Sequence, residues 1–92
     1  MASTTLTFTQ DGGDYVYTFP TSAAVSGVAH LALSNPNQNV VVWAGAPDMP
    51  PMVANVLSTP FGLGLVFELN FPEGIVVTLR TTEPVTSAVW IA

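Results

Sequence analysis

Apolar and polar residues alternate with a period of two along most of the chain, and turn formers separate the alternating runs. In "LTFT" Leu6 and Phe8 fall on one side and Thr7 and Thr9 on the other. "YVYTF" puts Tyr15, Tyr17 and Phe19 on one side, and "DGGD" lies between the two runs. If Gly12 and Gly13 form a two-residue hairpin loop, Leu6 lies opposite Phe19, Phe8 opposite Tyr17 and Gln10 opposite Tyr15. The apolar face then stays on one side, whereas a three-residue loop would flip it.

The stretch "LVFELNFPEGIVVTLR" predicts a second hairpin. Leu65, Phe67, Leu69 and Phe71 alternate with polar or smaller residues, and Ile75, Val77 and Leu79 do so after "PEG". Pro72 suits the start of a type I turn and Gly74 the left-handed position that follows it. This register sets Phe71 against Ile75, Leu69 against Val77 and Phe67 against Leu79, making all six core candidates. It also brings Glu68 diagonal to Arg80, within reach of a surface ion pair contributing about 0 to 1 kcal/mol.

Residues 28 to 44 predict another hairpin, with "SNPNQN" as its turn between "GVAHLAL" and "VVVWA". "VANVL" reads as a short strand or one helical turn, and "TSAAVSG" is too short to hold a helix without packing. "VTSAVWIA" reads as a last strand with Val85, Ser87, Val89 and Ile91 on one face and Thr86, Ala88 and Trp90 on the other. Residues 1–92 therefore predict a single all-β domain. Its expected form is a compact antiparallel β-sandwich of jelly-roll or immunoglobulin-like kind, or a small barrel, with about 7 to 8 short strands.

Composition changes that picture by removing functions. The 92 residues are 49% hydrophobic and only 8% charged, with a net charge of −5; an average soluble domain has roughly 25% charged residues. Arg80 is the only Lys or Arg, too little to neutralise a phosphate backbone, so nucleic acid is not an expected partner. No apolar run reaches the roughly 18 residues a membrane helix needs. The N-terminus has neither the basic start nor the apolar core of a secretory signal, which predicts a chain made and kept inside a cell. Cysteine is absent and His30 is the lone histidine, which excludes thiolate and His-pair metal sites. His30 reads as a strand residue at a surface or interface. Asp11 and Asp14 could hold a hard cation, but two acids make a poor cage and Asp and Gly are ordinary turn residues. With no nucleophile elbow, paired acid motif or phosphate loop, the sequence predicts no catalytic residue, metal or cofactor, and no enzyme.

What remains is an apolar surplus. Val16, Val76 and Trp90 sit on the second faces of strands whose first faces already supply a core. No Lys is present to protect sheet edges. Trp43, Pro47, Met49, Pro50, Pro51, Met52 and Phe61 lie close together in sequence, and Trp90 is their expected spatial neighbour. We read this set as a subunit interface, since interface centres are poor in charge and rich in aromatics and Met. Gly45 ends the strand "VVVWA", and the prolines of "APDMPPM" predict a stiff, extended connection at the rim of the sheets.

In size, lack of Lys and Cys and strand-and-turn style, the chain resembles the small all-β virion proteins of tailed bacteriophages, head decoration or cement proteins among them. "FPEGIVVTLRTT" followed by "SAVWIA" carries most of the likeness. The resemblance implies a virion component: a homotrimer or other small symmetric oligomer that contacts major capsid protein. The competing function is a carbohydrate-binding module. Its aromatic platform would be Tyr15, Tyr17, Trp43 and Trp90, with Asp48, Asn37 or Asn39 supplying polar specificity.

Overall fold

The computed structural model describes residues 3–34, 39–50, 52–58 and 64–92. Nine strands lie among them: β1 (Ser3–Thr5), β2 (Thr9–Asp11), β3 (Asp14–Thr18), β4 (Val25–Leu33), β5 (Asn39–Gly45), β6 (Met52–Ser58), β7 (Gly64–Phe71), β8 (Val76–Thr81) and β9 (Val85–Ile91). They form a four-stranded sheet, order β1-β9-β4-β7, and a five-stranded sheet, order β2-β3-β8-β5-β6. Every pairing is antiparallel. The all-β sandwich expectation is met.

The nesting of the pairs identifies the topology. β5 pairs β6, β4 pairs β7, β3 pairs β8 and β1 pairs β9, so the chain behaves as one long hairpin folded back at its middle. Rolling that hairpin makes the second set of contacts, β5 with β8 and β4 with β9, and closes the two sheets. This is a jelly roll, and the immunoglobulin-like alternative falls away. The tip of the long hairpin is the proline-rich segment after Gly45. There Met49 N–H donates to Ala46 C=O at 3.1 Å, so Ala46–Met49 is a β-turn with Pro47 in its first central position and not the extended connection expected.

The Gly-Gly hairpin forms in its predicted register, with Gln10 opposite Tyr15 and Asp11 opposite Asp14. Gly12 has φ +64° while Gly13 has no positive φ, the pattern of a type II′ loop. Leu6 does not reach Phe19 by that ladder, because the first strand changes sheets between Thr5 and Thr9. Leu6 N–H instead donates to Ala88 C=O at 2.9 Å, continuing the pairing of β1 with β9. This split of one expected strand into β1 and β2 helps raise the count to nine.

The other two predicted hairpins are not hairpins. β7 and β8 belong to different sheets, and so do β4 and β5. Phe67, Leu69, Val77 and Leu79 are buried, and Phe71 and Ile75 pack against the core. The predicted faces are right and the predicted neighbours wrong: the segments meet across the core, not side by side. Alternation fixes which face looks inward, and both arrangements satisfy it equally. "PEG" turns the chain from one sheet to the other, with Gly74 at φ +90° and its N–H donating to Thr21 C=O at 3.1 Å. Glu68 consequently lies on the four-stranded sheet opposite Val28, away from Arg80, and the expected pair between them is absent.

The core takes inward residues from both sheets, including Ala29, Leu31, Leu33, Val40, Val42 and Leu65. A chain of rings runs through it: Phe8 to Tyr17 (6.1 Å between centroids), Tyr17 to Phe19 (4.9 Å) and Phe19 to Trp90 (4.9 Å). Trp90 thus looks inward, correcting the outward placement expected for it. Val16 and Val76 keep the outward parity expected of them.

Candidate functional site

Polar and aromatic chemistry converges on the outer face of the five-stranded sheet. The registers place Thr9, Val16, Arg80, Val41 and Val56 in one row across all five strands. A second row holds Thr18, Thr78, Trp43 and Val53. Inward residues Leu79, Val42 and Val77 anchor the same strands from beneath, so this surface stands on a packed base.

Arg80 is the centre of the arrangement. Its Nη1 donates to Asp14 Oδ2 at 2.5 Å and its Nη2 to Asp11 Oδ2 at 3.0 Å. Antiparallel pairing across the Gly-Gly loop sets the two carboxylates opposite each other, and Arg80 reaches them from β8. The hydrogen bond to Asp14 does most to raise the guanidinium above its ordinary pKa, with Asp11 adding to it; partial burial opposes both. The acids considered as a calcium pair are therefore engaged by a resident cation. Among the described residues no group of three His, Asp or Glu is placed to hold a metal ion.

Beside the ion pairs lies a cleft of about 580 Å³, within the usual 300–1,000 Å³ of small-molecule sites. Its polar lining is Asp11, Asp14, Thr18, Thr78 and Arg80, and Val16 and Trp43 supply apolar surface. The Thr18 and Thr78 hydroxyls are 3.1 Å apart. A second depression of about 250 Å³ shares Asp14, Trp43 and Arg80 and extends to Asn39 and Val41. The indole N–H of Trp43 is fully buried with no acceptor among the described residues.

The structure disperses the other sequence-predicted site residues. Met49 and Met52 are 64% and 74% exposed, beside the exposed Pro47 and Pro50, and Val53 and Val56 follow on β6 at 49% and 55%. Pro51 and Phe61 lie outside the described residues. Trp90 belongs to the other sheet, where it lines a smaller cleft of about 270 Å³ with Leu6 and Phe19 at the sandwich end, apart from Trp43. Tyr17 is taken up by Phe8 and Phe19, and Tyr15 shares its inward parity, so the four-ring sugar platform is not assembled. Asp48 is in the exposed tip turn, Asn39 lines the second depression, and Asn37 lies outside the described residues. His30 is exposed on the four-stranded sheet between Val66 and Val89.

Sequence reasoning missed the convergence of Arg80, Asp11, Asp14 and Trp43. A signal existed: the two-residue loop it favoured forces Asp11 opposite Asp14, and two facing carboxylates call for a cation that only Arg80 can supply as a fixed charge. No helix among the described residues is long and apolar enough to cross a membrane. No protein-family model, curated protein or solved structure matches the chain.

Proposed function

We propose that the chain is a non-enzymatic structural protein that works as an assembled subunit, seated among neighbouring copies or on a capsid lattice as a virion component. One observation carries the reading: β6 is exposed along Met52–Val56 and contains neither charge nor proline. It forms one edge of its sheet. The other edges of the sandwich are the three-residue β1 and β2, and β7, which carries Glu68. Short length and charge are two of the usual protections of an edge against association, and β6 has neither, its one interruption in the described ladder being a bulge.

Two details define the contact. A bulge at Ala54 interrupts the ladder between β5 and β6, and the Asn55 side chain accepts the Val56 N–H at 2.9 Å. Continuous backbone pairing with a neighbour is thereby broken at mid-strand, and side chains carry the contact. Val53 and Val56 are exposed apolar residues of the outer-face rows, and the exposed Met49 and Met52 add adaptable apolar side chains at the proline turn and the start of β6. The jelly roll is shared by viral capsid and lectin domains, so the fold agrees with assembly without selecting it.

Light scattering coupled to size exclusion tests the reading at micromolar concentration. A small symmetric oligomer, such as a trimer, is expected; a stable monomer overturns it. Capsid genes among the neighbouring reading frames of the source genome are the expected context.

A further inference from the structure

We infer that the outer face of the five-stranded sheet binds a neutral, hydroxyl-rich ring of pyranose class in the cleft between the Arg80–Asp14 pair and Trp43. This goes beyond assembly, because the cleft is centred on β3, β8 and β5, not on the exposed surface of β6.

Elimination by charge comes first. The cleft brings together one guanidinium and two carboxylates, a formal balance of −1, so it repels phosphate and carboxylate ligands despite holding the only Arg. A cation meets carboxylates already hydrogen-bonded to Arg80 and a positive charge beside them. A neutral ligand meets neither penalty.

The positive match is to hydroxyl chemistry. A sugar hydroxyl donates and accepts at once, and Asp14 beside Arg80 offers an acceptor next to a donor. Arg80 spends two of its five N–H groups on Asp11 and Asp14 and keeps the others. The Thr18 and Thr78 hydroxyls, which also line the cleft, add a further donor–acceptor pair. Val16 and Trp43 give the apolar patches against which the C–H face of a pyranose packs. The ion pairs fix Asp11, Asp14 and Arg80 before a ligand arrives, so little side-chain freedom is lost on binding. Because Asp14, Trp43 and Arg80 also border the second depression, two linked rings can straddle them, one in each hollow. The sites expected from sequence placed Trp43 with three other rings; here it works with an ion-pair cluster instead.

The test uses the full chain, labelled with ¹⁵N, and follows the Trp43 and Trp90 indole N–H and the Arg80 side-chain signals. Probes are glucose, galactose, mannose, N-acetylglucosamine, cellobiose and maltose; glycerol, adenosine and glucose 6-phosphate are controls. Saturable shifts at Trp43 and Arg80 with at least one sugar, Trp90 unmoved and the controls silent, are expected. Asp14→Asn should weaken that affinity about tenfold, with Thr78→Ala as the second variant if the first loses its native spectrum. Val56→Lys, which bears on assembly, should bind like the wild type. The inference is overturned if no probe gives saturable shifts, if the controls match the sugars, if the shifts map to Trp90, or if the folded cleft variant binds undiminished.

Discussion

The ring of Trp90 occupies the space that a side chain on Gly27 would fill. A Cβ built on Gly27 would lie 2.9 Å from the Trp90 ring and 2.4 Å from Ile91 C=O, closer than such atoms come. Gly27 is in β4, and its neighbour β9 carries Trp90 against Phe19. The glycine is thus required by close approach, with no unusual φ involved. It lets the last strand lie flat on the core.

Gly27→Ala should therefore destabilise the fold by about 2 to 3 kcal/mol, because the nearest obstruction is backbone and cannot swing away. Urea unfolding measures it. Ala substituted for Gly64, which has open space around it, is the control and should cost far less.

Arg80→Gln should leave Asp11 and Asp14 facing each other without their cation, at a cost of about 1 to 2 kcal/mol from lost pairing and cross-strand repulsion together. The loss should shrink in added salt and in an Asp14→Asn background. The pH dependence of the wild type follows from the raised guanidinium pKa. A folded value above the unfolded one gives stability that is full below the unfolded value and lost only as pH climbs through the folded one. That window lies in strong base, so this guanidinium should contribute no slope between about pH 6 and 9.

Much of the sandwich was legible because burial on one face imposes a period of two. Alternation alone marks Phe67, Leu69, Val77 and Leu79 as core, and they are buried. The same alternation is silent about which strand lies beside which. A strand can satisfy its inward face by pairing with the next segment or by crossing to the opposite sheet, so alternation predicts hairpins for β7–β8 and β4–β5 where the chain in fact changes sheets. Only the Gly-Gly loop was short enough to dictate its own pairing. The candidate site was harder to see, since Arg80 meets Asp14 through the long-hairpin pairing of β8 with β3 and meets Trp43 only through the rolled contact of β8 with β5. That contact depends on closure of the whole roll and leaves no local spacing to read.

The two tryptophans should respond differently to the same substitution. Trp90 packs edge-on against Phe19 at 4.9 Å, and Trp90→Phe loses ring contact in the core, about 1 to 2 kcal/mol. Trp43→Phe also removes the buried N–H that has no acceptor among the described residues, a group whose burial costs about 1 to 3 kcal/mol. Relief of that cost offsets the lost ring area. Trp43→Phe should leave stability within about 1 kcal/mol of wild type by urea unfolding, and a larger loss would mean that the N–H has found a partner.

Val56→Lys should separate assembly from folding. Val56 is 55% exposed on the outer face, in the row that runs through Val41 and Arg80, so its side chain has little core packing to lose. A lysine there changes folding stability by no more than about 0.5 kcal/mol, the usual range for exposed positions. At a contact between copies the same lysine acts at once on every interface. It places an ammonium within an uncharged strand that another apolar surface would have to desolvate, and charge on an edge is the device by which sheets resist association. Light scattering should find the variant smaller than the wild type while urea unfolding, monitored at low protein concentration, finds both equally stable. Val66→Lys on the four-stranded sheet is the matched control: Val66 is 62% exposed yet lies on β7, beside Glu68. An unchanged assembly for that control with a dissociated Val56→Lys places the contact on β6; loss of assembly in both variants would instead assign it to general charge effects on this lysine-free surface.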